Sequence, residues 1–398
     1  MPDSHSPLWQ IAFRPFFLGA SIFITVALIL WALVLSNALP TIIGHYQPYS
    51  GWFNWHSHEM IFGFVQAIAI GFLLTASRNW ASQSGVSSNF IKILIASWLM
   101  TRIAWFMPTV PVVLIALLDG LTPLLAALGL AQTLRGGERD NGKGSQRHNW
   151  PFVGLMIVFA LMQFFFHALL VLAPQYITLL MQASVLAMAA MTLWVSGRVL
   201  PFFTRARLQT PPPIIPSTLL KTSMLASWLL IPSFLTTTLL GQHFWLHVIP
   251  AFIALIAAGT QSYRLYLFYR RGVSTEPMLW SLYCAFAWII IGYVLLSLSF
   301  IIEQPLPWLH AITLGGLLTM IVSMMARVGL GHTGRPILAL KGIALAFIAL
   351  QIATLIRIIQ PSIIGYLATL ILVILAMTVF LFHYFPILIK PRPDGRPG

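Results

Sequence analysis

The chain has 398 residues, 59% of them hydrophobic and 8% charged, with a mean hydropathy of +0.88. A soluble domain carries about 25% charged residues, so this composition excludes one and specifies an integral membrane protein. The formal charge of +14 sits in short loops between apolar runs, which makes it a topology signal and not a nucleic-acid footprint. The single cysteine, Cys284, excludes a disulfide framework, a CxxC site, an iron–sulfur cluster and covalent c-type haem attachment.

Apolar runs of about 20 residues predict transmembrane helices. In chain order they cover 16–36, 57–76, 91–108, 111–133, 151–172, 176–196, 218–240, 244–266, 278–301, 307–327, 338–359 and 363–388. The fold class is therefore an all-α polytopic bundle of about twelve helices forming one transmembrane domain. Prolines between Pro108 and Pro111, and between Pro305 and Pro307, break the helix at the least distinct boundaries. The first span follows Arg14 and lacks a small-residue cleavage motif, so it reads as a retained helix. Residues 134–150 are charged and Gly-rich and read as a flexible loop; Thr210–Pro216 is a Pro-rich connector. No internal sequence repeat stands out.

Arg14 and the basic residues of alternate loops fall on one face, leaving only Arg102 and Arg357 on the other. The positive-inside rule makes the basic face cytoplasmic, with both termini inside, in an even-numbered bundle.

Eleven histidines against eight carboxylates point to metal or haem. On this topology His45, His56, His58, His167, His243, His247 and His310 share the outer level. His56 and His58 are two apart, so a helix points them about 200° apart and they cannot easily share a metal. Each is a candidate haem or metal ligand, or an interfacial cap beside Trp52 and Trp55. His243 and His247 are four apart, the spacing of two ligands on one helix face, or of a wet interfacial face. His310 beside Trp308 is a further haem candidate, and His167 a further metal candidate. Glu59, next to the paired histidines, is placed to orient an imidazole or pass a proton. Asp119 reads equally as a buried hydrogen-bonding group or part of a proton path. Arg102 and Arg357 call for an anion, such as a haem propionate, or snorkel to lipid phosphate.

Three polar motifs mark the inner level: Thr75–Trp80, Gly197–Thr204 and Ala326–Pro336. Arg78, Asn79, Arg198, Arg327, His332 and Arg335 among them form a candidate anion or second haem site, although positive-inside charge at helix stops explains the same residues.

The stretches Phe13-Arg14-Pro15-Phe16-Phe17, Trp55-His56-Ser57-His58-Glu59-Met60, Gly71–Ala76 with Asn79-Trp80, Gly197-Arg198 with Pro201–Thr204, and His310-Ala311 running into Met325–Val328 and Gly331–Pro336 resemble the NnrS family of bacterial membrane proteins. The resemblance spans nearly the whole chain. It implies a protein of the bacterial inner membrane that contains haem b and copper and answers nitric oxide or nitrosative stress. The resemblance also implies nitric oxide as small-molecule ligand and the lipid bilayer as partner, with no nucleic acid; the electron donor is left open. The layout is similar as well to the catalytic subunit of haem–copper oxidases and nitric oxide reductases. It departs from them in lacking an adjacent His-His pair and an HxH on the tenth span. A nitric oxide reductase-like activity therefore stays open beside two other readings: a transporter of metal, haem or a small solute, and a haem-based sensor or assembly protein.

Overall fold

The computed structural model describes residues 6–39, 47–140, 146–240 and 244–396. Among them there are helices and no strand. Helix α1 is Phe13–Leu35, α2 Trp52–Ala81, α3 Ser88–Ala104, α4 Val112–Asp140, α5 Pro151–Leu172 and α6 Ile177–Leu208. Helix α7 is Ser217–Leu240, α8 Phe244–Phe268, α9 Pro277–Ile301, α10 Trp308–His332, α11 Ile343–Ile359 and α12 Ile363–Ile389. Each expected span contains one of these helices. Ten are long and apolar enough to cross a membrane; α3 and α11, with 17 residues each, fall short of the other ten.

The predicted proline breaks separate α3 from α4 and α9 from α10. One loop expectation needs correction. Residues 134–150 are not a single flexible loop, because α4 continues to Asp140 and Gln146–His148 forms a short 3-10 turn. Glu138 anchors that turn, accepting from the Gln146 amide at 3.1 Å and the Trp150 indole at 3.2 Å. Gly137 is required inside α4, since a Cβ there would strike the backbone of Ala81.

The chain divides into two compact units, residues 1–177 with 328–337 and 381–398, and residues 178–327 with 338–380. Each is inside-out relative to a soluble protein. In the first unit Val113, Val171 and Phe382 are exposed while Ser21, Gln66, Asp119 and Gln163 are buried; in the second, Leu345 and Phe252 are exposed while Gln261 and Thr354 are buried. An apolar exterior, with polar side chains turned into an otherwise apolar core, suits a hydrocarbon solvent.

In the first unit the N-terminal end of α1 is tied down twice. The Phe13 amide donates to Thr75 Oγ1 at 3.0 Å, and Arg14 donates to the carbonyls of Leu388 and Lys390, both at 2.8 Å. Pro15 lies in the first turn of α1, where its missing N–H would have had no helical partner.

Two helices are not α-helical throughout. In α2 the stretch Glu59–Val65 is π-helical, and in α10 the stretch Ala311–Leu318 is π-helical. Each begins at the residue after a histidine, His58 and His310 respectively. Well under 1% of residues in globular proteins are π-helical, and such turns gather at functional sites.

Candidate metal centre

The first unit buries a polar cluster built from four helices. The π turn of α2 sets His58 and Glu59 together, with the His58 Nδ1 3.0 Å from Glu59 Oε1. Trp98 of α3 donates its indole N–H to the Gly63 carbonyl at 2.8 Å, filling an acceptor within the π stretch. Gly63 itself must lack a side chain, because a Cβ would run into the Glu59 carboxylate and the Phe23 ring. Helix α3 adds Arg102, α4 adds Asp119 and α5 adds His167. All of these groups are buried, His58 and Glu59 at 0% exposure and Asp119 and His167 at 1%.

Asp119 is the hub. Its Oδ2 lies 2.8 Å from His58 Nε2 and 3.0 Å from His167 Nε2. Its Oδ1 accepts from Arg102 Nη2 at 2.8 Å and from Gln163 Nε2 at 3.2 Å. Arg102 Nε lies 2.7 Å from Glu59 Oε2, so one guanidinium spans both carboxylates. At the outer edge, the hydroxyl of Tyr49 meets His167 Nδ1. Burial, then the charges of Asp119 and Glu59, push the Tyr49 phenol up from its ordinary value, so it stays protonated and can either donate to Nδ1 or accept from Nδ1–H as the His167 tautomer requires. Without a metal, Nε2–H facing Asp119 pairs with Nδ1 accepting from Tyr49.

Aromatic rings jacket the cluster. Phe166, Trp105 and Phe62 lie 4.6, 4.8 and 5.1 Å from the His58 ring, centroid to centroid. Water has little place there, and the charges act at low dielectric.

With both imidazoles neutral, the charge inventory is one positive short. Two carboxylates face one arginine, and neutral imidazoles add nothing. His58 has a carboxylate oxygen near each ring nitrogen, whereas a neutral imidazole donates from only one. His58 Nε2, Glu59 Oε2 and Arg102 Nε are buried without a well-aligned hydrogen bond. One nitrogen of His58, one nitrogen of His167 and one oxygen of Asp119 lie within 4.8 Å of one another. Two imidazoles and a carboxylate are a donor set for a first-row transition metal, and either a proton on His58 or a bound cation balances the second carboxylate.

The residues singled out from sequence are distributed as follows. His58 and Glu59 are in the cluster, and His167 joins them there. His56 points elsewhere, stacked on Trp31 with centroids 4.5 Å apart, as the two-residue spacing requires. Arg102, offered from sequence to an outside anion, instead faces the chain's own Glu59 and Asp119. Arg357, in the second unit, lies over the Tyr366 ring at 4.1 Å. His247 and His310 belong to the second unit, the former near Phe300; His45 and His243 lie outside the described residues. Of the inner-level residues, Arg78, Asn79, His332 and Arg335 belong to the first unit and Arg198 and Arg327 to the second. Arg327 stacks on Phe203 at 4.0 Å and Arg198 lies over Trp194 at 5.3 Å.

Tyr49, Gln163 and Trp105 escaped the sequence reading because a lone residue in a loop or on an apolar helix has no spacing to betray it. Asp119 carried a signal: it is one of only two carboxylates within the apolar spans.

Among curated proteins no match is found. The family described as NnrS protein matches residues 7–392, nearly the whole length, and the chain belongs to the NnrS family.

Proposed function

We propose that this protein is a metal-binding membrane protein of the bacterial nitric oxide response, holding copper at His58, Asp119 and His167. The observation that carries the reading is the convergence of those three donors in a buried, aromatic-lined pocket. Among divalent first-row ions, copper binds nitrogen and oxygen donors most tightly. Family membership supports the link to nitric oxide. The molecule is small and apolar, and the aromatic jacket of Phe62, Trp105 and Phe166 favours such a ligand over water.

Haem b fits a different place. Both nitrogens of His58 face carboxylates and its ring is enclosed, an environment for an ion and not for a flat macrocycle. His310, which heads the π stretch of α10 as His58 heads that of α2, would hold haem iron, with His56 the other candidate. Haem iron and copper, when bound, supply one-electron chemistry. In that setting His58 and His167 would bind through Nε2, with Glu59 accepting from His58 Nδ1–H and Tyr49 from His167 Nδ1–H, and Arg102 would hold both carboxylates in place. The basic face of the bundle is assigned to the cytoplasm, with both termini inside the inner membrane.

The test is copper content and visible spectra of detergent-purified protein, oxidised, reduced, and reduced with nitric oxide. His58→Ala, His167→Ala and Asp119→Asn should each lower copper at least tenfold and leave haem in place. His310→Ala should remove haem and leave copper. Copper that is retained in all three cluster variants would defeat the assignment of the centre. A fully loaded protein with no spectral response to nitric oxide would defeat the functional reading.

A further inference from the structure

The inner end of the first unit gathers cations from four separate stretches of chain. Arg14 opens α1, Arg78 lies near the end of α2, His332 and Arg335 flank the turn after α10, and Arg392 follows α12. Arg392 Nη1 donates to the His332 carbonyl at 3.0 Å. Gly334, at φ +69°, lets the turn pass close under the Arg392 guanidinium, where a Cβ would crowd it. The His332 ring packs on Phe13, centroids 5.6 Å apart. Arg78 and Arg392 both act electrostatically on the His332 ring, and Arg335 and Arg392 both act on Arg14.

Their negative partners are few. Arg14 is fully buried and donates to the carbonyls of Leu388 and Lys390. Arg392 forks onto Asp394, at 2.9 and 2.6 Å. Among the described residues the Arg335 guanidinium reaches only the Thr333 carbonyl at 3.3 Å, and the Arg78 guanidinium makes no hydrogen bond or ion pair. Arg78 and Arg335 are half-buried, and burial lowers the pKa of Arg335, outside the membrane spans, from its ordinary value. Positive-inside charge requires basic residues on this side, but not that they be folded toward one another. Convergent, half-buried arginines repel each other unless an anion lies among them, and guanidinium groups match the oxygens of phosphate in particular.

We infer that Arg78, Arg335 and His332 form a binding site for a phosphate group at the inner end of the first unit. The site is independent of the buried metal centre. Its phosphate comes either from a lipid headgroup or from a free phosphate compound, and the two sources share this chemistry.

The test uses the full-length protein, purified in detergent and stripped of lipid. Thermal unfolding is followed with inorganic phosphate, with chloride at equal ionic strength, with phosphatidylglycerol, and with neutral diacylglycerol. A ligand that binds the folded state raises Tm with concentration. Phosphate or phosphatidylglycerol should raise it by on the order of 5 °C, while chloride and diacylglycerol should not. Arg78→Gln with Arg335→Gln should abolish the shift, and Arg78→Lys with Arg335→Lys should keep part of it. A response to inorganic phosphate identifies a free phosphate as sufficient; a response to phosphatidylglycerol alone identifies the headgroup as the source. If wild-type protein responds equally to phosphate and chloride, or to none of the four additives, the inference fails without recourse to a variant. A shift that survives undiminished in the double glutamine variant also overturns it.

Discussion

Asp119 shows how much depends on one carboxylate in an apolar bundle. Each of its oxygens serves two partners, and the single arginine it faces also serves Glu59. Removing one member of a buried charged pair costs about 3–5 kcal/mol, because the remaining charge stays buried without its counterpart. Arg102→Gln should therefore destabilise by that amount, as read by thermal unfolding of the purified protein. Arg102→Gln combined with Glu59→Gln should recover part of the loss, since the second change removes a stranded negative charge. A double variant no more stable than the single one would show that Arg102 acts through packing and not through charge. His56→Ala, by contrast, removes a ring stacked on Trp31 outside the cluster and should leave copper unchanged.

At the scale of the element, the π stretches decide which residues face inward. An α-helix advances 100° per residue, and one extra residue in a turn shifts everything beyond it by that angle. In α2 the shift re-aims the residues beyond Val65 relative to His58 and Glu59, and Gly63 leaves room for the Glu59 carboxylate. Deleting Met60, within the π stretch, should restore α register. It should abolish copper binding while leaving helical content by circular dichroism unchanged; retained copper would separate the centre from the π geometry. Gly63→Ala should cost about 1–3 kcal/mol by overpacking, measured by thermal unfolding. These features mark the limit of what the sequence could disclose. The helices were legible because hydrocarbon demands about 20 apolar residues at a time, and proline fixed the breaks before α4 and α10. The opposed directions of His56 and His58 were legible from helical geometry. The pairing of His58 with His167 was not, since nothing in two residues 109 positions apart specifies that α2 and α5 bring them to one carboxylate. The π turns were not legible either, because Glu-Met-Ile-Phe-Gly-Phe-Val has the hydropathy of any buried helix.

For the whole molecule, the assigned orientation is open to direct measurement. In a background with Cys284→Ser, a cysteine introduced at Ser84, between α2 and α3, should react with an impermeant thiol reagent only after cells are permeabilised. One introduced at Gln304, between α9 and α10, should react in intact cells. The reverse pattern would invert the topology and place the arginine cluster outside. One contact within the first unit also bears on how the chain is made. Arg14 meets Leu388 and Lys390 across 374 and 376 residues of sequence. During synthesis from the N-terminus, α1 is made long before those carbonyls exist, so the guanidinium must wait without them while the intervening helices are made. Its final burial is among the last events of biogenesis, and a chain interrupted before α12 is left with an arginine that cannot be stowed, a mark by which unfinished copies differ chemically from finished ones.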